Sequence, residues 1–442
     1  MKTFQEENNN LIKSFLGHTF FKGWKEGLEN FEKLELFFGT SCNLDCKYCY
    51  LARYGNELYS ADIQNSSVIL NNLSILLDWL IKNKYGPHIE IFGGELLIQE
   101  MGIKGIELIL NKFENAEKKP KGITIPTNYT FLLSKQKTKE IEKLLKRSKR
   151  IGIPMYFSAS FDGKYCEANR PLKTEKDKRN NKYYDKCFAF NKKWGFGFHP
   201  MIYSELIENW KENFLWFQRE LKKFNFNFWN LYLLEVRNTE WEKSQLKSFM
   251  DFIEFLIEWT YYGPCKKNKD YFVNFLFKKG YNILRSPLST VGRGLKCAFQ
   301  TIIYVRLGDL AIVPCHRTSY PPYTLGKFIV KNNKIIKIES ENPELMIGGI
   351  TLEAKNFPFC ETCLLKYLCT LGCLGSQFET TGDLFSPIPT VCQLEHAKIY
   401  AMIKTYKKLG LYSKVYENLK NEDKTTSFDL LEEMIENKKY GK

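Results

Sequence analysis

The chain has 442 residues, a net charge of +15 from 65 basic and 50 acidic side chains, and 44% hydrophobic and 26% charged residues. Length suggests two or three domains, and the composition excludes wholesale disorder and collagen-like repeats. No run of about 18 apolar residues occurs, so no membrane span is expected, and the start MKTFQEENNN is acidic and amide-rich, wrong for a signal peptide.

In chain order, Leu34-Glu35-Leu36-Phe37-Phe38 reads as a strand that runs into a cysteine loop. A helix is predicted over 66–82, with Ile69, Leu73, Leu76, Leu77 and Leu80 on one face. Strands follow at 89–92, ended by Gly93-Gly94, and at 122–126, leading into Thr127-Asn128. The basic stretch 134–150 reads as a helix with a solvated lysine face. Further strands are predicted at 151–161, 196–203 and 231–236. Helices are predicted through Trp210, Phe214, Phe217 and Leu221, and through Phe249, Phe252, Leu256 and Trp259. From about 290 the segments become short and rich in Gly, Pro and Cys, a region expected to need metal staples rather than a large apolar core. The tail after 397 returns to helix, and Ser427 could cap a last one carrying Phe428, Leu431 and Ile435.

Six strand–helix units argue for an α/β fold with a parallel sheet, too few for a closed eight-stranded barrel. The expected architecture is a partial (β/α)6 TIM-like barrel with a small C-terminal iron–sulfur cluster domain and a helical tail. The boundaries expected are an N-terminal segment at 1–32, the barrel at 33–260, a linker at 261–290, the cluster domain at 291–396 and the tail at 397–442. In such folds chemistry sits at the C-terminal strand ends, where the first cysteine loop, Gly93-Gly94-Glu95, Thr127-Asn128 and Asp162-Gly163 all fall.

The 13 cysteines are clustered. The chain is expected in the cytoplasm, where thiols stay reduced, so they ask for a use other than disulfides. Cys42-x3-Cys46-x2-Cys49 lies directly after a strand, and seven more cysteines lie between 297 and 392. Such short gaps are those of metal and cluster sites, because neighbouring ligands must converge. Three thiolates can hold three irons of a 4Fe–4S cluster and leave the fourth open, whereas a structural zinc would want a fourth Cys or His close by.

The first loop, with Tyr48 before Cys49, resembles that of radical S-adenosylmethionine enzymes, and more of residues 33–237 agrees. By that resemblance Cys42, Cys46 and Cys49 hold a 4Fe–4S cluster that binds S-adenosylmethionine and generates a 5′-deoxyadenosyl radical. Gly93, Gly94 and Glu95 match the motif that receives the amino group of the cofactor's methionine part, and Tyr48 matches the aromatic beside the adenine. Ser160 matches a fourth-strand serine that touches the cofactor. Arg170 falls near the usual carboxylate-binding arginine, with Arg179 as the alternative. Asn128 is either a further cofactor contact or part of a simple turn.

Cys360-x2-Cys363-x5-Cys369-x3-Cys373-x18-Cys392, preceded by Cys297-x17-Cys315, resembles the SPASM domain of peptide-maturing radical enzymes. The resemblance implies two auxiliary 4Fe–4S clusters, making three in all. Cys297, Cys315 and Cys373 would hold the first, and Cys360, Cys363, Cys369 and Cys392 the second. Gly308-Asp309 and Thr381-Gly382-Asp383-Leu384-Phe385 also look like the family, although the gap from Gly308 to Cys315 is longer than usual there. Cys265, in Gly263-Pro264-Cys265, is a candidate fourth ligand of the first auxiliary cluster, which could instead stay open or bind a substrate thiolate. His316 reads as a neighbour of a ligand, Cys166 and Cys187 read as plain thiols, and two zinc sites are the alternative for the C-terminal group.

The expected reaction is C–H abstraction on a peptide, giving a thioether or carbon–carbon crosslink in a ribosomally made precursor. The alternatives are a sulfatase-maturing oxidase, a small-molecule radical dehydrogenase, or a noncatalytic metal-binding protein. Too few residues precede the first strand for a leader-binding module, so a separate leader-binding protein is one expected partner. An electron donor such as flavodoxin or ferredoxin is another. Neither membrane nor nucleic acid is expected, because no basic–aromatic reader motif occurs. The aromatics around 210–229 and Tyr261-Tyr262 could line a peptide groove, but their helical spacing places them in the core first.

Overall fold

The computed structural model describes residues 33–52, 64–174, 179–267, 302–313, 315–319, 323–341, 360, 362–363, 365, 374–382, 386–417 and 429. They fall into two units. The first takes in 1–160, 172–187 and 297–351, and the second 161–171, 188–296 and 352–442.

In the first unit, β1 (Lys33–Phe37), β2 (His88–Phe92), β3 (Gly122–Thr127) and β4 (Met155–Ala159) are consecutive parallel neighbours. The intervening helices are α1 (Ser66–Lys82), α2 (Glu100–Phe113) and α3 (Lys135–Arg150). This is the strand–helix winding of a partial barrel wall. The α1 helix begins where Asn65 Oδ1 accepts from the Ser67 and Val68 N–H groups, and α3 where the Ser134 hydroxyl accepts from Lys137 N–H. Leu34, Leu36, Ile89, Ile91, Ile123 and Ile125 are buried at 1% exposure or less, the alternate-residue signature of a strand face under helices. The α2 helix was not expected. Its apolar stripe carries Gly102 and Gly105, where a Cβ would stand 2.2 Å from Leu96 O and 2.5 Å from the Phe38 ring, so both are close-packing residues and not helix breaks.

The C-terminal third also departs from expectation. The first-unit sheet has eight strands in the order β10-β9-β8-β7-β1-β2-β3-β4, because β7 (Ile302–Arg306) pairs parallel with β1. The strands β8 (Ala311–Val313), β9 (Gly326–Lys331) and β10 (Lys334–Ser340) extend it antiparallel. Instead of a coreless region, this segment buries Ile303, Val305, Leu307, Ala311, Ile312 and Val313. The β9–β10 hairpin turns through Asn332 and Asn333, both left-handed at φ 51° and 57°. Arg306, 1% exposed, grips Asp309 through Nε (2.8 Å) and Nη2 (2.6 Å) and donates to Ser319 O.

The second unit contains β5 (Met201–Ile202) and β6 (Leu234–Glu235), which form a two-stranded parallel sheet of their own. Both are shorter than expected. A bridge between Phe198 and Leu231 starts the same register, and Pro200, having no N–H, breaks the ladder between. The helices α4 (Asn181–Trp194), which starts in the first unit, α5 (Trp210–Lys223) and α6 (Lys243–Tyr262) supply aromatics. Trp210, Phe214 and Phe217 are fully buried, so this stripe is core; Tyr262 is exposed. Beyond these lie α7 (Leu374–Thr381), α8 (Pro389–Lys408) and α9 (Tyr412–Glu417). The α8 helix packs on α6 and starts at Pro389, so Cys392 stands in its first turn rather than ahead of the tail helix. The helix expected after Ser427 lies outside the described residues. No described helix is long and apolar enough to cross a membrane.

Candidate active site

The first cysteine loop leaves β1 at its C-terminal end. Phe38 N–H donates to Phe92 O (2.9 Å), extending the β1–β2 pairing, and Gly39 takes a φ of +123° that a side chain would strain. Within the loop Cys49 N–H donates to Cys46 O (3.0 Å), and Leu44 N–H points at Cys42 Sγ (3.5 Å). Leu44 forms an antiparallel bridge with Leu172, and Lys173 N–H donates to Asn43 O (3.0 Å). The three thiols are half-buried, and Tyr48 is buried between the second and third. Burial pushes the Cys42 thiol up to about 11, with Glu95 and Cys49 adding to the rise and the Leu44 N–H opposing it.

Gly93 and Gly94 are required by that loop. A Cβ on Gly94 would stand 1.8 Å from Ser41 O, and one on Gly93 2.7 Å from Gly39 O. The glycines let β2's end pass flat against the start of the loop, where Gly94 N–H donates to Gly39 O (3.0 Å) and Glu95 N–H to Ser41 O (2.9 Å). Gln99 adds a strap, its Nε2 donating to Ser41 O (2.6 Å) and Glu95 O (2.8 Å). The Glu95 side chain turns the other way. Its carboxylate accepts from Thr127 Oγ1 (2.8 Å), Asn128 N (2.5 Å) and Leu97 N (3.2 Å), joining β2 to the end of β3. Burial pushes this carboxyl up to about 7 against the pull of those three donors.

Asn128 closes the ring. Its Nδ2 donates to Asn43 Oδ1 (3.0 Å) and lies 4.0 Å from Cys42 Sγ, while its Oδ1 accepts from Thr130 N (2.9 Å) and Thr130 Oγ1 (2.6 Å). Asn43 Nδ2 in turn donates to Thr130 Oγ1 (3.0 Å), and Tyr183 Oη donates to Asn128 O (3.0 Å). Ser160 N–H donates to Thr127 O (2.8 Å) at the end of β4. The structure thus gathers Cys42, Cys46, Cys49, Gly93, Gly94, Glu95, Asn128 and Ser160 at the C-terminal ends of β1–β4. Sequence reasoning missed Asn43, Gln99, Thr130 and Tyr183. Only Asn43, inside the cysteine loop, carried any cue.

Arg170 belongs to the second unit. It is buried, and its Nε donates to Asp162 Oδ1 (2.9 Å), an oxygen that also accepts from Met201 N (2.9 Å). Arg179 is half-buried in the first unit.

On the face of β1 that carries Glu35, a second cluster has formed. Glu35 is paired with Lys33 Nζ (2.9 Å) and His316 Nδ1 (3.0 Å), and Lys33 also contacts Glu90 on β2. Burial alone would raise the Glu35 carboxyl; His316 and Lys33 outweigh it and hold it low. His316 stacks on Phe92 with ring centroids 4.4 Å apart, and Arg317 lies 4.6 Å over the Tyr50 ring. The residues after Cys315 are therefore fixed to β1 and β2 by His316 and to Tyr50, beside the cysteine loop, by Arg317, a role that no local sequence pattern assigns.

The C-terminal thiols are partly described: Cys360, Cys363 and Cys392 in the second unit and Cys315 in the first, whereas Cys297, Cys369 and Cys373 lie outside the described residues. Cys265 is buried just past α6, its N–H donating to Thr260 O (3.0 Å) and its thiol pushed up to about 11 by burial. Cys166 and Cys187 are wholly buried. Among the described residues no three His, Cys, Asp or Glu side chains converge on a point that could hold a single metal ion. A cluster of several irons asks instead for thiols set around it. Cys42 and Cys49 lie within electrostatic reach of each other on a loop with an all-thiol donor set, which fits that larger group.

No protein-family model matches the chain, and no curated protein matches it. Solved structures do. A polyhistidine-tagged anSMEcpe with bound AdoMet superposes with a TM-score of 0.58 at 16% identity, over 88% of this chain and 98% of that one. Native anSMEcpe with bound AdoMet and Cp18Cys peptide gives 0.55 at 15% identity, over 86% and 99%. The chain shares the fold of these AdoMet-bound structures. A third structure, native anSMEcpe with bound AdoMet and Kp18Cys peptide, gives 0.55 at 17% identity over 87% and 98%. The shared fold thus takes in 86–88% of this chain.

Proposed function

We propose that the chain is a radical S-adenosylmethionine enzyme that modifies a peptide by C–H abstraction, forming a thioether or carbon–carbon crosslink. The observation that carries this is the loop of Cys42, Cys46 and Cys49 held at the C-terminal ends of parallel strands by Gly93-Gly94, Glu95 and Asn128. When bound, a 4Fe–4S cluster and S-adenosylmethionine together supply one-electron cleavage of a carbon–sulfur bond, and so a carbon radical able to take hydrogen from an unactivated C–H bond. The three thiolates would hold that cluster, releasing their protons as they bind iron.

The chain's other residues set the geometry. Gly93 and Gly94 keep the cofactor-facing backbone against the loop, and the Asn43–Asn128–Thr130 triangle fixes the side of the loop next to Cys42. By the resemblance, Tyr48 would stand beside the adenine of the cofactor. Phe92, Tyr50 and His316 form an aromatic wall that would keep water away from a reactive carbon. By the same reading two auxiliary clusters are held by Cys297, Cys315 and Cys373, with Cys265 as a candidate fourth ligand, and by Cys360, Cys363, Cys369 and Cys392. A thiolate of the substrate bound at the first would suit thioether formation, and a flavodoxin or ferredoxin would supply the electron.

Peptide as substrate class is supported by the fold shared with anSMEcpe, whose structures hold AdoMet together with a peptide. A second reading, oxidation of one residue in a sulfatase-type peptide, is favoured by coverage of nearly the whole anSMEcpe chain. Anaerobic co-expression with a short cysteine-bearing peptide encoded beside this chain tests both. A mass loss of two hydrogens with a gap in the fragment ladder shows a crosslink, the same loss with a complete ladder shows single-residue oxidation, and unchanged mass contradicts both.

A further inference from the structure

The cysteine spacing draws attention to thiols, but α8 brings an imidazole to them. Cys392 stands in the first turn of α8 and His396 one turn later, so the two side chains lie on one face of the helix. Cys360 and Cys363 form a turn closed by Cys363 N–H donating to Cys360 O (3.0 Å). Cys363 Sγ lies 3.9 Å from His396 Nε2, within reach of a hydrogen bond to sulfur. The thiols of Cys360, Cys363 and Cys392 are within electrostatic reach of one another. A turn and a helix in the second unit thus bring three thiols and one imidazole near one another.

The helix that presents His396 is held rigidly. On its other side, Lys398 Nζ reaches Glu235 (2.6 Å) on β6 and Glu395 (3.4 Å), and Arg237 Nη2 reaches Glu395 (2.5 Å). Lys398, Glu235 and Glu395 are all buried. Lys404 and Lys408 further along pair with Glu254 and Glu258 on α6. His396 therefore cannot drift from Cys363 by rotation or sliding of α8 without breaking buried ion pairs. The contact between His396 Nε2 and Cys363 Sγ therefore belongs to a helix fixed in register.

We propose that His396 donates its Nε2–H to the Cys363 sulfur and so raises the reduction potential of the cluster that Cys360, Cys363 and Cys392 help to hold. It is a positioning residue, not an iron ligand. A hydrogen bond to a coordinating sulfur withdraws electron density from it and favours the reduced cluster. The inference rests on the reading of these thiols as iron–sulfur ligands.

The test uses the full chain, anaerobically reconstituted, in a Cys46→Ala background so that the first cluster is absent. Iron and sulfide content and a redox titration followed by electron paramagnetic resonance are measured for His396, His396→Phe and His396→Gln. The expected result is equal iron in all three, one potential shifted downward in His396→Phe, and recovery of most of that shift in His396→Gln, whose amide can still donate. Potentials that do not move in His396→Phe overturn the proposal. So does loss of as much iron as Cys363→Ala loses, which would make His396 a ligand. Should His396→Phe fail to fold, a potential in His396→Asn equal to that of His396 overturns it, because the shorter amide cannot reach the sulfur, whereas a downward shift supports it. A parent chain that takes up zinc and no iron overturns the iron–sulfur reading itself, and this inference with it.

Discussion

The two thiol groups are secured by different physics. The N-terminal loop is held by neutral hydrogen bonds, by backbone passing at van der Waals distance over Gly93-Gly94, and by amide side chains at the ends of β1–β3. Among the C-terminal thiols Cys392 stands on α8, and α8 depends on charge: Glu235, Glu395 and Lys398 are buried and Arg237 pairs with both carboxylates. Burial alone would raise the Glu235 carboxyl, but Arg237 and Lys398 outweigh it and hold it far below the usual carboxylate range. A loop that must present ligands at one place gains from short-range steric definition. A helix that must dock at one register gains from charges that match in one arrangement only, a role attested for buried polar groups elsewhere.

That contrast can be broken from either side. The largest effect is expected for Lys398→Met, which leaves two carboxylates buried with one cation between them and should cost about 3–5 kcal/mol. Urea unfolding of the second unit would measure it, and thiol-loop chemistry in the first unit should survive until unfolding begins. Acid acts next. Burial, and then Arg170, pushes His199 in the second unit down to about 4, so the unfolded chain binds its proton first. Stability from this group is present above about 6.5 and is lost as pH falls toward about 4, by about 3 kcal/mol in all. The first unit should respond in the opposite sense over part of the range. Glu95, held up at about 7, gives the folded state the extra proton, so its contribution weakens as pH rises from about 4.5 to about 7. Unfolding curves followed separately in each unit across that range would show one slope rising and one falling.

Gly94→Ala comes third. Its Cβ would overlap Ser41 O, the cysteine loop must shift, and 5′-deoxyadenosine formation should fall about 100-fold while the second unit keeps its stability. The smallest effect is expected for Asn128→Ala, which removes one donor to Asn43 and the acceptor for Thr130 and should cost about 1–2 kcal/mol. If Asn128→Ala proved more damaging than Gly94→Ala, the loop would be held by its amides and not by close backbone approach.

What the sequence disclosed follows the same division. The helix over 66–82, the strands before Gly93 and Thr127 and the cysteine loop were legible because each is a local pattern of period or spacing. Ser134 marked the start of α3 for the same reason. The β7–β10 strands were not, because short strands at irregular intervals carry little periodicity, and their apolar residues gain meaning only through pairing with β1. Glu35 with His316 and Glu235 with Lys398 are separated by 281 and 163 residues, so neither could be found without the fold. His396 was hidden differently: it sits just past the last cysteine of the pattern, but only the helical turn after Cys392 reveals which way it faces.

In the proposed function, Cys42, Cys46 and Cys49 hold the group that activates S-adenosylmethionine. The direct measurement is 5′-deoxyadenosine released when the anaerobically reconstituted chain is reduced in the presence of S-adenosylmethionine. Steady release is expected from the parent chain, and none from Cys46→Ala with its other clusters intact. Equal release from both, or none from a parent chain fully loaded with iron, would contradict it.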